Sequence, residues 1–131
     1  MTSRLTSIAP ALEAAISSAP PNMQRRVTTE VLSWLYREIP QHEKNLRASL
    51  INQDEETANR LLTQLDDEYF SLEEQDLQEE SLVSFSQART AAATLFAIRG
   101  EVSEAVYEAI VATDNQAGVA KVVLETLSGD A

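Results

Sequence analysis

The chain has 131 residues, 44% of them apolar and 24% charged, with no cysteine and a formal net charge of −11. That length and apolar content suit one globular domain rather than a disordered chain, and the missing cysteine excludes disulfides, thiolate metal sites and thiol nucleophiles. The acidic balance argues against nucleic acid or an anionic membrane as a direct partner, because phosphate binding needs a basic footprint.

The N-terminal stretch MTSRLTSIAPALEAAISSAPP has one early base and ends in small residues, as a signal peptide does. Pro10 and Glu13 interrupt its apolar run, so it reads as part of the domain. Leu5, Ile8, Leu12, Ala15 and Ile16 form a helical stripe. That helix stops at Ala19-Pro20-Pro21, since a proline disfavours helical backbone at the residue before it. Asn22 is then expected to cap a second helix, whose stripe is Met23, Val27, Val31, Trp34 and Leu35, widened by Leu32 and Ile39 and closed by Pro40. On this pattern Trp34 is core, and Tyr36, off the stripe beside Arg37, is partly exposed.

Leu46, Leu50 and Ile51 suggest a short third helix, and Asn52 with Glu55 resembles a capping box for a fourth. The fourth stripe runs Ala58, Leu61, Leu62, Leu65, Tyr69 and Leu72. Leu77 falls about 140° off it, so the helix ends or kinks near Glu74. Periodicity resumes with Leu82, Phe85, Ala88, Ala92, Leu95 and Phe96 and stops at Arg99-Gly100, where glycine suits a left-handed helix end. Val102, Ala105, Val106, Ala109 and Ile110 mark another helix, and Val119, Val122, Val123 and Leu127 the last, with Asn115 as its cap. No period-2 strand is flanked by turn signals. The expected fold is therefore all-α: a compact bundle of five to seven mostly antiparallel helices in a single domain over 1–131, with an N-terminal helix and proline linker over 1–21 and a frayed tail over 127–131.

Residues that would carry catalysis are scarce. His42 is the only histidine, which rules out any Ser-His-Asp arrangement not built on it and any pair of Glu-x-x-His iron motifs. Flanked by Gln41 and Glu43, it reads as a solvated helix start; an enzyme using Glu38 and His42 is the third-ranked reading. Asp66-Asp67-Glu68 lacks the alternating oxygen ligands and central glycine of a calcium loop, and there is no glycine-rich phosphate loop. The expectation is a protein that is not an enzyme and has no catalytic, metal or cofactor site.

Charge is placed unevenly. Residues 1–60 hold seven acids and seven bases, whereas residues 61–131 hold fourteen acids against Arg89, Arg99 and Lys121. The stretch LLTQLDDEYFSLEEQDLQEES, residues 61–81, has eight carboxylates and no base. A solvated face is the plain explanation of such a run. However, ordinary helices relieve like charge with i+4 bases, and apolar side chains are interleaved here. Tyr69 and Leu72 continue the core stripe, while Phe70 and Leu77 point elsewhere. Asp66, Asp67, Glu68, Phe70, Glu73, Glu74, Asp76, Leu77, Glu79 and Glu80 are thus the candidate partner-binding residues, with rings and aliphatics as anchors and carboxylates steering a basic protein.

The Trp-bearing VLSWLYREI, the acidic LDDEYFSLEEQDLQEES and the small-residue ARTAAATLFAIRGE, in that order over residues 25–110, resemble the helical immunity proteins of bacterial polymorphic-toxin and contact-dependent systems. The resemblance implies a cytoplasmic inhibitor that occludes the basic active-site surface of a cognate toxin, often a nuclease, its acids standing in for phosphates. From the residues alone a second class stays open: a homo-oligomeric scaffold or regulatory adaptor joined through the small face at Ala91-Ala92-Ala93.

Overall fold

The computed structural model describes residues 3–129. Eight α-helices and no strand are found among them: α1 (Arg4–Ile8), α2 (Pro10–Ser17), α3 (Pro21–Glu38), α4 (Glu43–Asn52), α5 (Glu55–Glu74), α6 (Gln78–Ile98), α7 (Val102–Thr113) and α8 (Gln116–Ser128). The all-helical expectation is met, and the count is one higher than the upper bound. The extra helix arises at Pro10. With no N–H to donate, proline suits the first position of a new helix, and Ala9 before it takes a non-helical φ of −148°. One expected helix is thereby split into α1 and α2. Of the tail expected over 127–131, Leu127 and Ser128 are the last turn of α8, Gly129 caps it with φ 82°, and residues 130–131 lie outside the described residues.

Several helix ends differ from expectation for a physical reason. Pro20 and Pro21 start α3 by fixed φ, so Asn22 sits inside the first turn and caps nothing. Asn52 is the last residue of α4. Asp54 caps α5 instead, accepting from Thr57 N at 3.1 Å and from Thr57 Oγ1 at 2.6 Å. Those bonds, the side-chain one foremost, hold the Asp54 carboxyl below its ordinary pKa. Asn115 caps α8 as expected, accepting from Gly118 N at 2.9 Å.

α6 is the central element, packed against α3, α4, α5 and α7. From Thr90 to Leu95 every residue is buried, so the helix is enclosed on all sides there. Small Ala and Thr side chains make that possible by letting neighbouring helices approach closely. α3 packs on α6, α7 and α8 and fills the core with Val27, Val31, Leu32 and Leu35, which Leu5, Ile16, Leu46, Val106, Val119 and Val123 complete. Trp34 is half-buried against this cluster rather than inside it.

Tyr36 corrects the stripe argument, because it is fully buried instead of partly exposed. The face of α3 opposite the main stripe also meets the bundle: Arg47 of α4 lies over the ring at 5.2 Å and Thr94 of α6 meets the hydroxyl at 2.7 Å. Thr94 already gives its proton to the Thr90 carbonyl, so Tyr36 is the donor. Burial pushes the phenol up to about 12.

A chain of ion pairs ties the outer helices together. Glu108 on α7 is buried, 1% exposed, and accepts from Arg4 Nη2 at 2.7 Å and from Arg89 Nη1 at 3.2 Å. Arg89 reaches on to Asp66 at 3.2 Å, and Arg4 to Glu104 at 2.7 Å. Arg4 also lies over the Tyr107 ring at 4.4 Å. The short α1 is therefore held by an aromatic face and two carboxylates, as well as by buried Leu5.

Candidate functional site

α5 and α6 form an antiparallel hairpin, since their contacts run in reverse order: Arg99 with Glu55, Arg89 with Asp66, Ser84 with Glu68 and Ser81 with Glu73. The acidic segment is the closed end of this hairpin. α5 ends at Glu74, as the lapse in periodicity implied, and three residues turn the chain into α6. Leu77 N–H donates to the Leu72 carbonyl and Asp76 N–H to the Glu73 carbonyl, the paired bonds of a Schellman turn. Such a turn needs a left-handed residue, normally glycine. Asp76 occupies it with φ 63°. The turn also explains Leu77, whose position commonly makes an apolar contact back to the last helical turn.

The structure divides the expected site residues into two sets. Asp66 is tied to Arg89, Glu68 accepts from Ser84 Oγ at 3.0 Å, and Glu73 accepts from Ser81 Oγ at 3.0 Å. These three stitch α5 to α6. Asp67, Glu74, Asp76, Glu79 and Glu80 are exposed and make no ion pair or side-chain hydrogen bond among the described residues. Asp67, Phe70 and Glu74 fall at i, i+3 and i+7, one strip on the outer face of α5. Every residue from 73 to 80 is exposed. Phe70 is 61% and Leu77 39% exposed, with Phe70 edge-on to Tyr69 at 5.3 Å, which in turn rests on Phe85 at 5.4 Å.

Local energetics do not account for all of these charges. Glu79 and Glu80 lie in the first turn of α6, where the helix dipole favours carboxylates. Glu73 and Glu74 lie in the last turn of α5, with no base there, at the end where the dipole disfavours them. Asp76 holds a position where glycine would be less strained. Asp76 and Glu80, four apart in sequence, are not helical neighbours, because Asp76 is in the turn and only Glu80 is on α6.

Leu82 and Val83 were not among the expected site residues. Leu82 fits the core stripe by spacing, yet it is 62% exposed, and Val83 is 51% exposed. Both lie in the first turns of α6, before the stretch that the other helices enclose. An adjacent apolar pair just after two acids was the available signal. Ile51, expected to face inward, is 73% exposed.

The alternative sites gain little. His42 precedes α4, half-buried, with Nε2 2.9 Å from Gln87 Oε1, and Glu38 forms no hydrogen bond or ion pair with it. Among the described residues no group of three or more His, Asp or Glu is placed to hold a metal ion, and no helix is long and apolar enough to cross a membrane. Ala91, Ala92 and Ala93 are buried within the chain, so they supply close packing of α6 and no outward seam. Comparison with protein-family models, curated proteins and solved structures gives no match at any of the three levels.

Proposed function

We propose that the chain is a non-enzymatic, cytoplasmic protein-binding inhibitor, of the kind that immunity proteins represent, which receives the basic surface of a toxin on the closed end of the α5–α6 hairpin. One observation carries the reading: Glu74 and Asp76 are exposed and unpaired at positions where the fold would be better served by a base and a glycine. Charge kept against local preference suits a surface made for a cationic visitor. Phe70 and Leu77 beside it supply apolar anchors that are desolvated on docking. Ion pairs and helix packing fix the hairpin in advance, so little ordering entropy opposes binding. Over a Debye length of about 8 Å at physiological salt the cluster acts as one field, raising encounter rates with a basic groove.

Bait proteins separate this from a merely solvated face. Wild type and a variant with Asp67, Glu74, Asp76, Glu79 and Glu80 all changed to Lys are incubated with lysate of the producing cell at low and physiological salt. Wild type should retain a basic protein, releasing it as salt rises, and the variant should not retain it. Equal retention by both removes the hairpin as the binding surface. The homo-oligomeric adaptor loses its stated ground, since the alanines it relied on are internal.

A further inference from the structure

We infer that a second surface, an apolar groove running from the end of α3 across α6 to α1 and α8, seats a cationic amphipathic helix of a partner protein. Three hollows compose it. The first and second share Leu82 and Ser86, and the second and third share Ile8 and Gln116, so the three adjoin in a row. Four of the seven large apolar side chains exposed in the described chain line it: Ile8 at 40%, Leu82 at 62%, Val83 at 51% and Leu124 at 53%. Isolated exposed apolar side chains need no explanation, whereas neighbouring ones are often functional.

Charge selects the occupant. The charged residues lining the track are Glu38 and Asp114, with no Lys or Arg among the lining residues. Glu79 and Glu80 stand one turn before Leu82 and Val83; the base at the corresponding place before Leu124, Lys121, is paired with Glu125 at 4.0 Å, so the rim stays acidic. A second copy of the chain would bring the same lining, with no Lys or Arg to neutralise these carboxylates, which argues against self-association. A helix with apolar residues at i, i+3, i+4 and i+7 and Lys or Arg along its flanks fills the track and neutralises the rim. This inference rests on the reading that the partner is basic, but it uses different side chains from the hairpin site.

The test uses the full chain and a fluorescently labelled Leu/Lys peptide of roughly 18 residues, about five helical turns, with its leucines on one face. Anisotropy titrations compare wild type with Leu82→Ser/Leu124→Ser and with Glu74→Lys/Asp76→Lys. Circular dichroism and melting temperature confirm that these exposed changes leave the fold intact. The serine pair should weaken binding about tenfold or more, and methyl resonances of Ile8, Leu82, Val83 and Leu124 should shift on titration. A Leu/Glu peptide of the same register should not bind. Unchanged affinity in the serine variant overturns the groove, as does equal binding of the Leu/Glu peptide. Sedimentation revealing a dimer that Leu82→Ser dissolves would also overturn it in favour of a second copy. Binding lost only in the Glu74→Lys/Asp76→Lys variant rejects the groove and leaves the hairpin reading standing.

Discussion

If Glu74 and Asp76 are retained for a partner, replacing them with what the fold prefers should stabilise the isolated protein. In Glu74→Lys/Asp76→Gly the first change places a base in the last turn of α5, which has none. Removing an unfavourable dipole interaction and adding a favourable one is worth about 0.6–1 kcal/mol at low salt for exposed groups. The second change relieves a left-handed φ of 63°. That relief is about 1–2 kcal/mol, partly offset by roughly 0.4–1 kcal/mol because glycine gives the unfolded chain more freedom. Together the two changes should add about 1–2 kcal/mol. An unfolding entropy near 2.1 cal/mol/K per residue then implies that Tm rises by roughly 4–7 °C for a chain of 131 residues.

Salt separates the two contributions. At 1 M ionic strength the Debye length shrinks to about 3 Å, so the dipole part should fade while the backbone part persists. Calorimetric melts of wild type, both single variants and the double variant, at low and high salt, measure all of this. The single effects need not add, because the sites are two residues apart within one turn. A double variant that melts at or below the wild-type temperature would refute the reasoning. The acids would then be compatible with local stability, and their retention would need no partner to explain it.

Three other outcomes follow from the packing. Glu108→Gln should lower unfolding stability by about 1.5–3 kcal/mol in denaturant titrations, since it weakens a buried tie to Arg89 and Arg4, which keep Asp66 and Glu104; replacing Glu108, Arg89 and Arg4 together with apolar residues of similar size should recover most of that loss. Gly118→Ala should destabilise despite alanine's helix propensity, because a Cβ there would lie 2.9 Å from Trp34 Cζ2 and 2.6 Å from Asn115 Nδ2; fluorescence of Trp34, the sole tryptophan, reports the shift directly. The Tyr36 phenol is raised from 10.0 to about 12, so the folded state favours its protonated form. Its contribution is complete below pH 10 and declines as pH climbs toward 12, by up to roughly 2–3 kcal/mol. Tyr36→Phe should flatten that decline in pH-dependent denaturation.

Which features were readable in the sequence depended on how local their causes are. Prolines at 10, 20, 21 and 40 and Gly100 mark helix ends through backbone rules acting within a few residues, although in the sequence Pro10 looks like an interruption of an apolar run and in the fold it starts a helix. Asn115 was recognisable as a cap for the same reason. Asn22 and Asn52 misled because a better local solution lay one or two residues away, in Pro21 and Asp54. Burial of Tyr36 could not be read from a stripe, since it depends on Thr94, 58 residues distant. The Arg4–Glu108 pair spans 104 residues, and no local pattern announces it. Leu82 failed in the opposite sense: its spacing is that of a core residue, but α6 begins before its neighbours cover it. For the acidic segment, the run of charge and its exposure were legible, whereas its division into stitching and free carboxylates was not.

That division bears on how the chain keeps −11 of charge without losing its fold. Asp66, Glu68 and Glu73 turn part of the excess into links between α5 and α6. Arg89 then carries the hairpin's tie inward to Glu108 and, through Arg4, to α1. The remaining acids collect beyond these ties, on the outer face and at the turn, in a stretch where residues 73–80 are all exposed. In water of high dielectric their mutual repulsion is small, and salt screens it further, so the helical core bears little of the strain. The same screening bears on the proposed recognition. On the proposed reading the cluster steers a basic surface through solvent and holds it more strongly once water is squeezed out between them, and Phe70 and Leu77 stand where that exclusion would begin. Conversion of Phe70 to Ser should therefore cost affinity mainly through faster dissociation, while the acids beside it set the rate of arrival.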